Sequence, residues 1–257
     1  MAPSEDPNRP LGYLQQCLAG DKKPLGLFIG AGCPMAVPTS GGTGCLIPDV
    51  AGITKMVHSG LAGSEDCKTI LKRIEQHFAE DGRVDPTVED MLTHIRAPRA
   101  VAGTVEVRGV SAASLATLDQ NICDFIQKVA DQSLPDAKTP YHQVASWVDG
   151  IRRESPVEIF TSNYDLLMEQ AFEECGVPYF DGFAGARKPR FDLRAMEEDV
   201  LPPRWARLWK LHGSINWYQT PTGGVFRGTT TEQDASRRVI HPSYLKYQEE
   251  DGCPTSQ

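Results

Sequence analysis

Three short segments, far apart in the chain, carry the residues best suited to chemistry. Gly30-Ala31-Gly32 follows the apolar run Leu25 to Ile29, Thr161-Ser162-Asn163-Tyr164-Asp165 closes the run that starts at Val157, and His212-Gly213-Ser214 follows Leu208 to Leu211. Glycines that end a strand and open onto a helix can aim backbone N–H groups at a pyrophosphate. They serve equally to close a tight turn. The third glycine of the usual dinucleotide fingerprint is replaced here by Met35. Asn163 and Asp165 can meet a ligand beyond a strand end, or cap the helix that follows. His212 carries an imidazole with an ordinary pKa of about 6.5, suited to a general base, and is equally a candidate core histidine bonded to backbone. Asp49, in Ile47-Pro48-Asp49, reads on its own as a turn residue.

These segments need a scaffold that brings them together. Strands are expected at 25–29, 157–161, 177–180 and 208–211. Helices are expected at 11–19, 67–78, 85–95, 114–132 and 139–148, and after Asp165. Apolar residues recur at helical spacing in them, as at Cys67, Ile70, Leu71, Ile74 and Phe78. Asp85 with Pro86, and Thr139 with Pro140, look like caps followed by a first-turn proline. Residues 97–113 read as a loop or small hairpin, and the stretch after Phe180 as a polar loop. Strands alternating with helices imply an α/β, Rossmann-like parallel sheet with flanking helices. The helical stretch at 53–150 is too long for one crossover and reads as an inserted helical subdomain within a single domain spanning 1–257. In such a sheet, ligands bind beyond the carboxyl ends of the strands. The three segments are therefore expected to converge on one crevice.

Composition narrows the classes. With 257 residues, 40% hydrophobic and 23% charged, the chain can bury a sizeable core and reads as soluble and globular. A net charge of −8 argues against a nucleic-acid surface spread over the domain, and no direct nucleic-acid site is evident. No apolar run approaches the ~20 residues needed to span a bilayer. The opening residues lack the basic-then-apolar pattern of a signal peptide. Seven scattered cysteines without a Cys-x-x-Cys fit a reduced, cytoplasmic protein with no zinc ribbon and no disulfide framework. His58, His77, His94, His142 and His241 lack metal-ligand spacing. Tyr164 and Trp217 read as packing residues.

Taken in order, "IGAG", "IPDVAG", "TSNYD" and "KLHGS" resemble the sirtuin family, over roughly residues 25 to 246. Sirtuins bind NAD on a Rossmann-type sheet and break its nicotinamide–ribose bond. The chain departs from sirtuin deacylases in two ways. Cys253 is the only cysteine after His212, so the four-cysteine zinc module cannot exist, and Ser162 stands where glutamine is usual. With "VPYFDGF" and "IHPSYLKY", the chain is more similar to the sirtuin-like NADases of bacterial antiphage defence.

That resemblance implies an NAD hydrolase that takes NAD as substrate and holds no metal. Asn163 and His212 are then catalytic. Asn163 bonds the nicotinamide ribose and positions water, and His212 acts as general base. Gly30, Ala31 and Gly32 cradle the pyrophosphate, Asp165 orients the ribose, and Asp49 meets the nicotinamide amide. Thr161, Ser162, Gly213 and Ser214 complete the NAD-binding set. The resemblance also implies a homo-oligomer and a fused or partner sensor or ATPase. Because no apolar strand follows "RRVIHPSYLKYQ", residues 1–257 are expected to be the N-terminal part of a longer polypeptide, or to need a partner. Two alternatives keep the same residues: a protein deacylase or ADP-ribosyltransferase, and a non-catalytic nucleotide-sensing module.

Overall fold

The computed structural model describes residues 9–39, 41, 42, 44–61, 63, 65–102, 106, 108–198, 200–220, 223–228 and 236–239. In chain order the elements are α1 (Arg9–Ala19), β1 (Leu25–Ile29), a 3-10 turn at Pro34–Ala36, α2 (Val50–Leu61), α3 (Glu65–Glu80), α4 (Val88–Ala102), α5 (Ala112–Ala130), α6 (Pro140–Gly150), β2 (Val157–Thr161), α7 (Leu167–Cys175), β3 (Tyr179–Phe180), β4 (Phe183–Ala184), β5 (Arg190–Phe191), α8 (Leu193–Glu197), β6 (Ala206–Lys210), β7 (Gly213–Gln219), β8 (Val225–Arg227) and β9 (Ser236–Val239).

A parallel sheet, ordered β1-β2-β6-β3, organises the molecule. Its register aligns Leu27, Ile159 and Leu208 in one row, and Ile29, Thr161 and Lys210 in the row two residues further along. Because side chains alternate along a strand, these rows point to one face. That face shares a buried cluster with Tyr141, Ala145 and Val148 of α6 and Leu167, Ala171 and Phe172 of α7. On the opposite face Phe28 is 67% exposed, and Phe160 and Trp209 stack with ring centroids 6.4 Å apart. The expected α/β, Rossmann-like sheet with flanking helices is thus the observed one.

Between β1 and β2, helices α2 to α5 bury a second cluster of their own. Its members include Val57, Leu71, Ile74, Phe78, Met91, Ile95, Leu118, Ile122 and Ile126. Ile53 and Phe125 touch both clusters. Gly60 lets α2 and α5 approach: a Cβ there would lie 2.1 Å from the Phe125 ring.

Local chemistry corrects several expected bounds. Asp85 is not the cap of α4; it sits at φ 54°. Thr87 caps the helix instead. Its Oγ1 accepts from the Asp90 amide at 3.2 Å, and Asp90 accepts from the Thr87 amide at 2.9 Å, a reciprocal capping box. The helix runs on to Ala102, into the stretch read as loop. The Thr139–Pro140 start of α6 is as expected, with His142 closing the capping box. The helix after Asp165 begins at Leu167, the third strand shortens to Tyr179–Phe180, and the fourth shifts to Ala206–Lys210.

The stretch read as a polar loop supplies β4 and β5, which join β7, β8 and β9 from beyond the fourth strand in a second, antiparallel sheet, ordered β4-β5-β8-β7-β9. Trp217 packs with Phe183 and Phe191 at centroid distances of 5.0 and 6.2 Å, and Asp181 pairs with Arg227. Among the described residues no helix is long and apolar enough to cross a membrane. The described cysteines, Cys17, Cys33, Cys45, Cys67, Cys123 and Cys175, are free thiols.

Candidate functional site

The row Ile29–Thr161–Lys210 ends three neighbouring parallel strands at one level. The chain leaves each strand there, and the three departing segments are tied to one another. The Leu211 amide donates to the Thr161 carbonyl at 2.9 Å, and the Ile215 amide to the Tyr164 carbonyl at 3.0 Å. Asn163 donates from its backbone N–H to Thr161 Oγ1 at 3.0 Å, and from Nδ2 to the Gly30 carbonyl at 3.1 Å.

A cavity of about 180 Å³ opens at this junction. Ala31, Ser162, Asn163, Asp165 and His212 line it, with Tyr164 beside them. Pro48, Val50 and Ile53 of the α2 start, and Val88 and Glu89 of the α4 start, form the facing wall. Residues predicted from three separate segments therefore share one cavity. A larger concavity of about 790 Å³ lies between α2, α3 and the 81–87 loop, around His58 and Glu75. It carries none of the predicted residues.

The other predicted residues take supporting places. The Gly30 carbonyl also accepts the Cys33 amide at 3.0 Å, so the Gly-Ala-Gly segment does form a turn. Yet neither glycine has a positive φ. A Cβ on Gly32 would meet nothing within 4 Å. The turn leaves open space above its backbone, which a ligand can approach closely. Asp49 is exposed, and its Oδ1 accepts the Gly52 amide at 2.8 Å, capping α2; the cavity wall is made by its neighbours Pro48 and Val50. Thr161 and Ser214 are buried, and Ser214 Oγ lies 3.5 Å from the Tyr164 carbonyl. Gly213 has φ 73° and turns the chain directly into β7.

Beneath the cavity lies a charged cluster that the sequence reading missed. Lys210, its side chain 1% exposed, meets Glu169 Oε1 at 2.9 Å and donates to the Asp165 carbonyl. Asp165 Oδ1 accepts the Leu167 amide at 3.1 Å. Burial pushes the Asp165 and Glu169 carboxyls above their ordinary range, and the Lys210 ammonium only partly offsets it. Burial likewise raises the Tyr164 and Tyr141 hydroxyls. A lysine inside an apolar strand, in Leu208-Trp209-Lys210-Leu211, was the available signal: a buried ammonium requires a carboxylate partner. Tyr141 gave no such signal, since its spacing is that of an ordinary helix core position.

Among the described residues no group of three His, Cys, Asp or Glu side chains could hold a metal ion. His77 and His94 meet at 3.3 Å, and His142 pairs with Glu174 at 2.6 Å. His241 and Cys253 lie outside the described residues.

Residues 157–246 match the family model described as a SIR2-like domain. The match takes in Asn163, Asp165 and His212. It begins after Gly30, Gly32 and Asp49, which the fold brings alongside. Over that stretch the chain is thus similar to a SIR2-like domain, and SIR2-like domains bind NAD. No curated protein matches the chain.

Proposed function

We propose that the protein is an NAD glycohydrolase, cleaving NAD to nicotinamide and ADP-ribose, and that it acts in the cytoplasm as an abortive-infection effector against phage. The observation that carries the proposal is the shared cavity of Ala31, Asn163 and His212, beside a Gly32 backbone with open space above it. The backbone of residues 30 to 32 would take the pyrophosphate. Asn163 would hold the nicotinamide ribose. The ribose–nicotinamide C–N bond breaks with its electron pair going to nicotinamide, which leaves neutral. Water adds to the sugar carbon, and its proton passes to His212. Asp165 would orient the ribose from below. Asp49 enters this scheme through the α2 start that it caps rather than by direct contact. Thr161, Ser162, Gly213 and Ser214 would hold the loops that carry Asn163 and His212. The helical stretch at 53–150 is proposed as the inserted subdomain, with the buried cluster of α2 to α5 as its core, and a homo-oligomer with a fused or partner sensor or ATPase as the working assembly.

Hydrolysis is favoured over deacylation because Ser162 stands where glutamine is usual in sirtuin deacylases. The test is to incubate the protein with NAD, alone and with an acetyl-lysine peptide, and to identify products by mass spectrometry. Nicotinamide and ADP-ribose from NAD alone are expected. Turnover only with the peptide, giving a deacetylated product, would overturn the assignment.

A further inference from the structure

The cavity at the strand ends is acidic. Among the described residues that line it are two carboxylates, Asp165 and Glu89, one imidazole, His212, and no lysine or arginine. The two carboxylates differ. Asp165 is 7% exposed and already accepts the Leu167 amide. Glu89 comes from the opposite wall, as the second residue of α4. It is half-buried, and among the described residues its carboxylate has no hydrogen bond or ion pair.

An acidic residue in the first turn of a helix often serves the helix itself, through the dipole or a cap. Here the cap is already complete. Thr87 and Asp90 bond each other's amides at 2.9 and 3.2 Å. The Val88 amide donates to Thr54 Oγ1 of α2 at 2.9 Å. The residues on both sides of Glu89 are thus fixed, and its main chain is held against the cavity with the side chain left uncommitted. A helix role alone gives no reason for a carboxylate on a cavity wall that carries no cation.

Such a carboxylate repels an anion and attracts a cation, and the attraction grows as water is displaced. The dinucleotide has both. Its phosphates suit the backbone of residues 30 to 32, and the ring at its far end is a positive pyridinium. In the reduced dinucleotide that ring is neutral. The geometry points to Glu89 as a specificity-determining residue: its carboxylate faces the nicotinamide ring and makes the cavity select the oxidised, cationic dinucleotide over the reduced one. The ligand rests on the NAD reading above; the selection does not depend on hydrolysis.

The test measures binding and needs no turnover. The full chain and its Glu89→Gln variant are titrated calorimetrically with three probes. Carba-NAD keeps the pyridinium but has a carbocycle in place of the nicotinamide ribose, so it resists cleavage. NADH carries the neutral ring, and ADP-ribose carries none. Wild type should bind carba-NAD about 10-fold or more tightly than NADH, the scale of one partly screened charge pair. Glu89→Gln keeps the size and removes the charge. It should weaken carba-NAD about 10-fold, leave NADH and ADP-ribose within about twofold, and melt with wild type because the cap is intact. Glu89→Asp, which keeps the charge, should retain a preference for carba-NAD over NADH. Equal weakening of all three probes in Glu89→Gln overturns the proposal, and so does an unchanged affinity for carba-NAD. A wild-type protein that binds none of the probes overturns it together with the NAD reading. One that shows the charge preference yet releases no nicotinamide from NAD upholds it and removes the hydrolase reading alone.

Discussion

The side-chain amide of Asn163 is hydrogen-bonded to the main-chain carbonyl of Gly30 at 3.1 Å, across 133 residues of sequence. The residue proposed to hold the ribose thus also latches the turn proposed to hold the pyrophosphate. On that reading one amide has a structural and a catalytic part, and its removal is expected to show both. Asn163→Ala should lower NAD turnover by at least ~10²-fold, on the scale of a lost catalytic contact, and lower stability by about 1 kcal/mol. His212→Ala should lower turnover by a similar factor. Steady-state kinetics and urea melts on both variants check this; near-wild-type turnover in the double variant would dismiss the site.

Asp165 gives a pH dependence of defined sign. A carboxyl whose folded-state pKa is raised holds its proton more tightly in the native state. Its stabilising contribution is complete below the unfolded value, and it is lost as pH rises through the folded one. Burial is the first cause here, with Lys210 opposing it. Asp165→Asn keeps an acceptor for the Leu167 amide and removes the titration. The melting temperature of Asp165→Asn minus that of wild type should therefore grow as pH rises from about 4 toward neutrality. A flat or falling difference would mean that Asp165 is charged at little cost.

Lys210 and Glu169 form a buried pair, their side chains 1% and 10% exposed. Lys210→Met strands the Glu169 and Asp165 carboxyls in the interior. A loss of about 3–5 kcal/mol is expected in chemical denaturation. Lys210→Met combined with Glu169→Leu should recover most of it, since apolar replacement of a whole buried pair is often close to neutral. A single variant as stable as wild type would show that water reaches this cluster.

The start of α4 separates two readings of the same residues. With Thr87 as the cap, Thr87→Val should cost about 1 kcal/mol. Asp85→Gly should be neutral or stabilising, because φ 54° suits glycine better than aspartate. Thermal melts that reversed this order would restore Asp85 as the cap.

Much of this architecture is written locally. Leu25–Ile29 and Val157–Thr161 are short apolar and β-branched runs set off by Pro24 and Gly30 and by Pro156 and Ser162, and they form strands with those bounds. Helix stripes such as Leu115, Leu118, Ile122 and Ile126 are buried as their spacing predicts. The antiparallel sheet was not legible, because β4 and β5 are two residues each. They exist through distant partners, Phe183 opposite Phe191 and Arg190 opposite Phe226, which no local pattern announces. The convergence of Ala31, Asn163 and His212 followed from their places just beyond the carboxyl ends of parallel strands. What lies beneath them did not: the Lys210–Glu169 pair and the Tyr141 hydroxyl are set by packing between β6, α6 and α7.

The uninterrupted pairing of β1 with β2 has a kinetic side. Leu25 to Ile29 must find Val157 to Thr161 after the intervening chain has been confined, and closing so long a loop is entropically costly before any contact repays it. Helices α2 to α5, joined by short connections around their own cluster, carry no such cost. They are expected to acquire structure first, with β1 closing onto β2 late and the cavity appearing only then. Pulse-labelled hydrogen exchange during refolding would show it as amide protection in residues 115 to 126 ahead of residues 157 to 161. The cavity would be the last part of the protein to form, so under the proposed hydrolase reading a chain caught midway through folding could not yet cleave NAD.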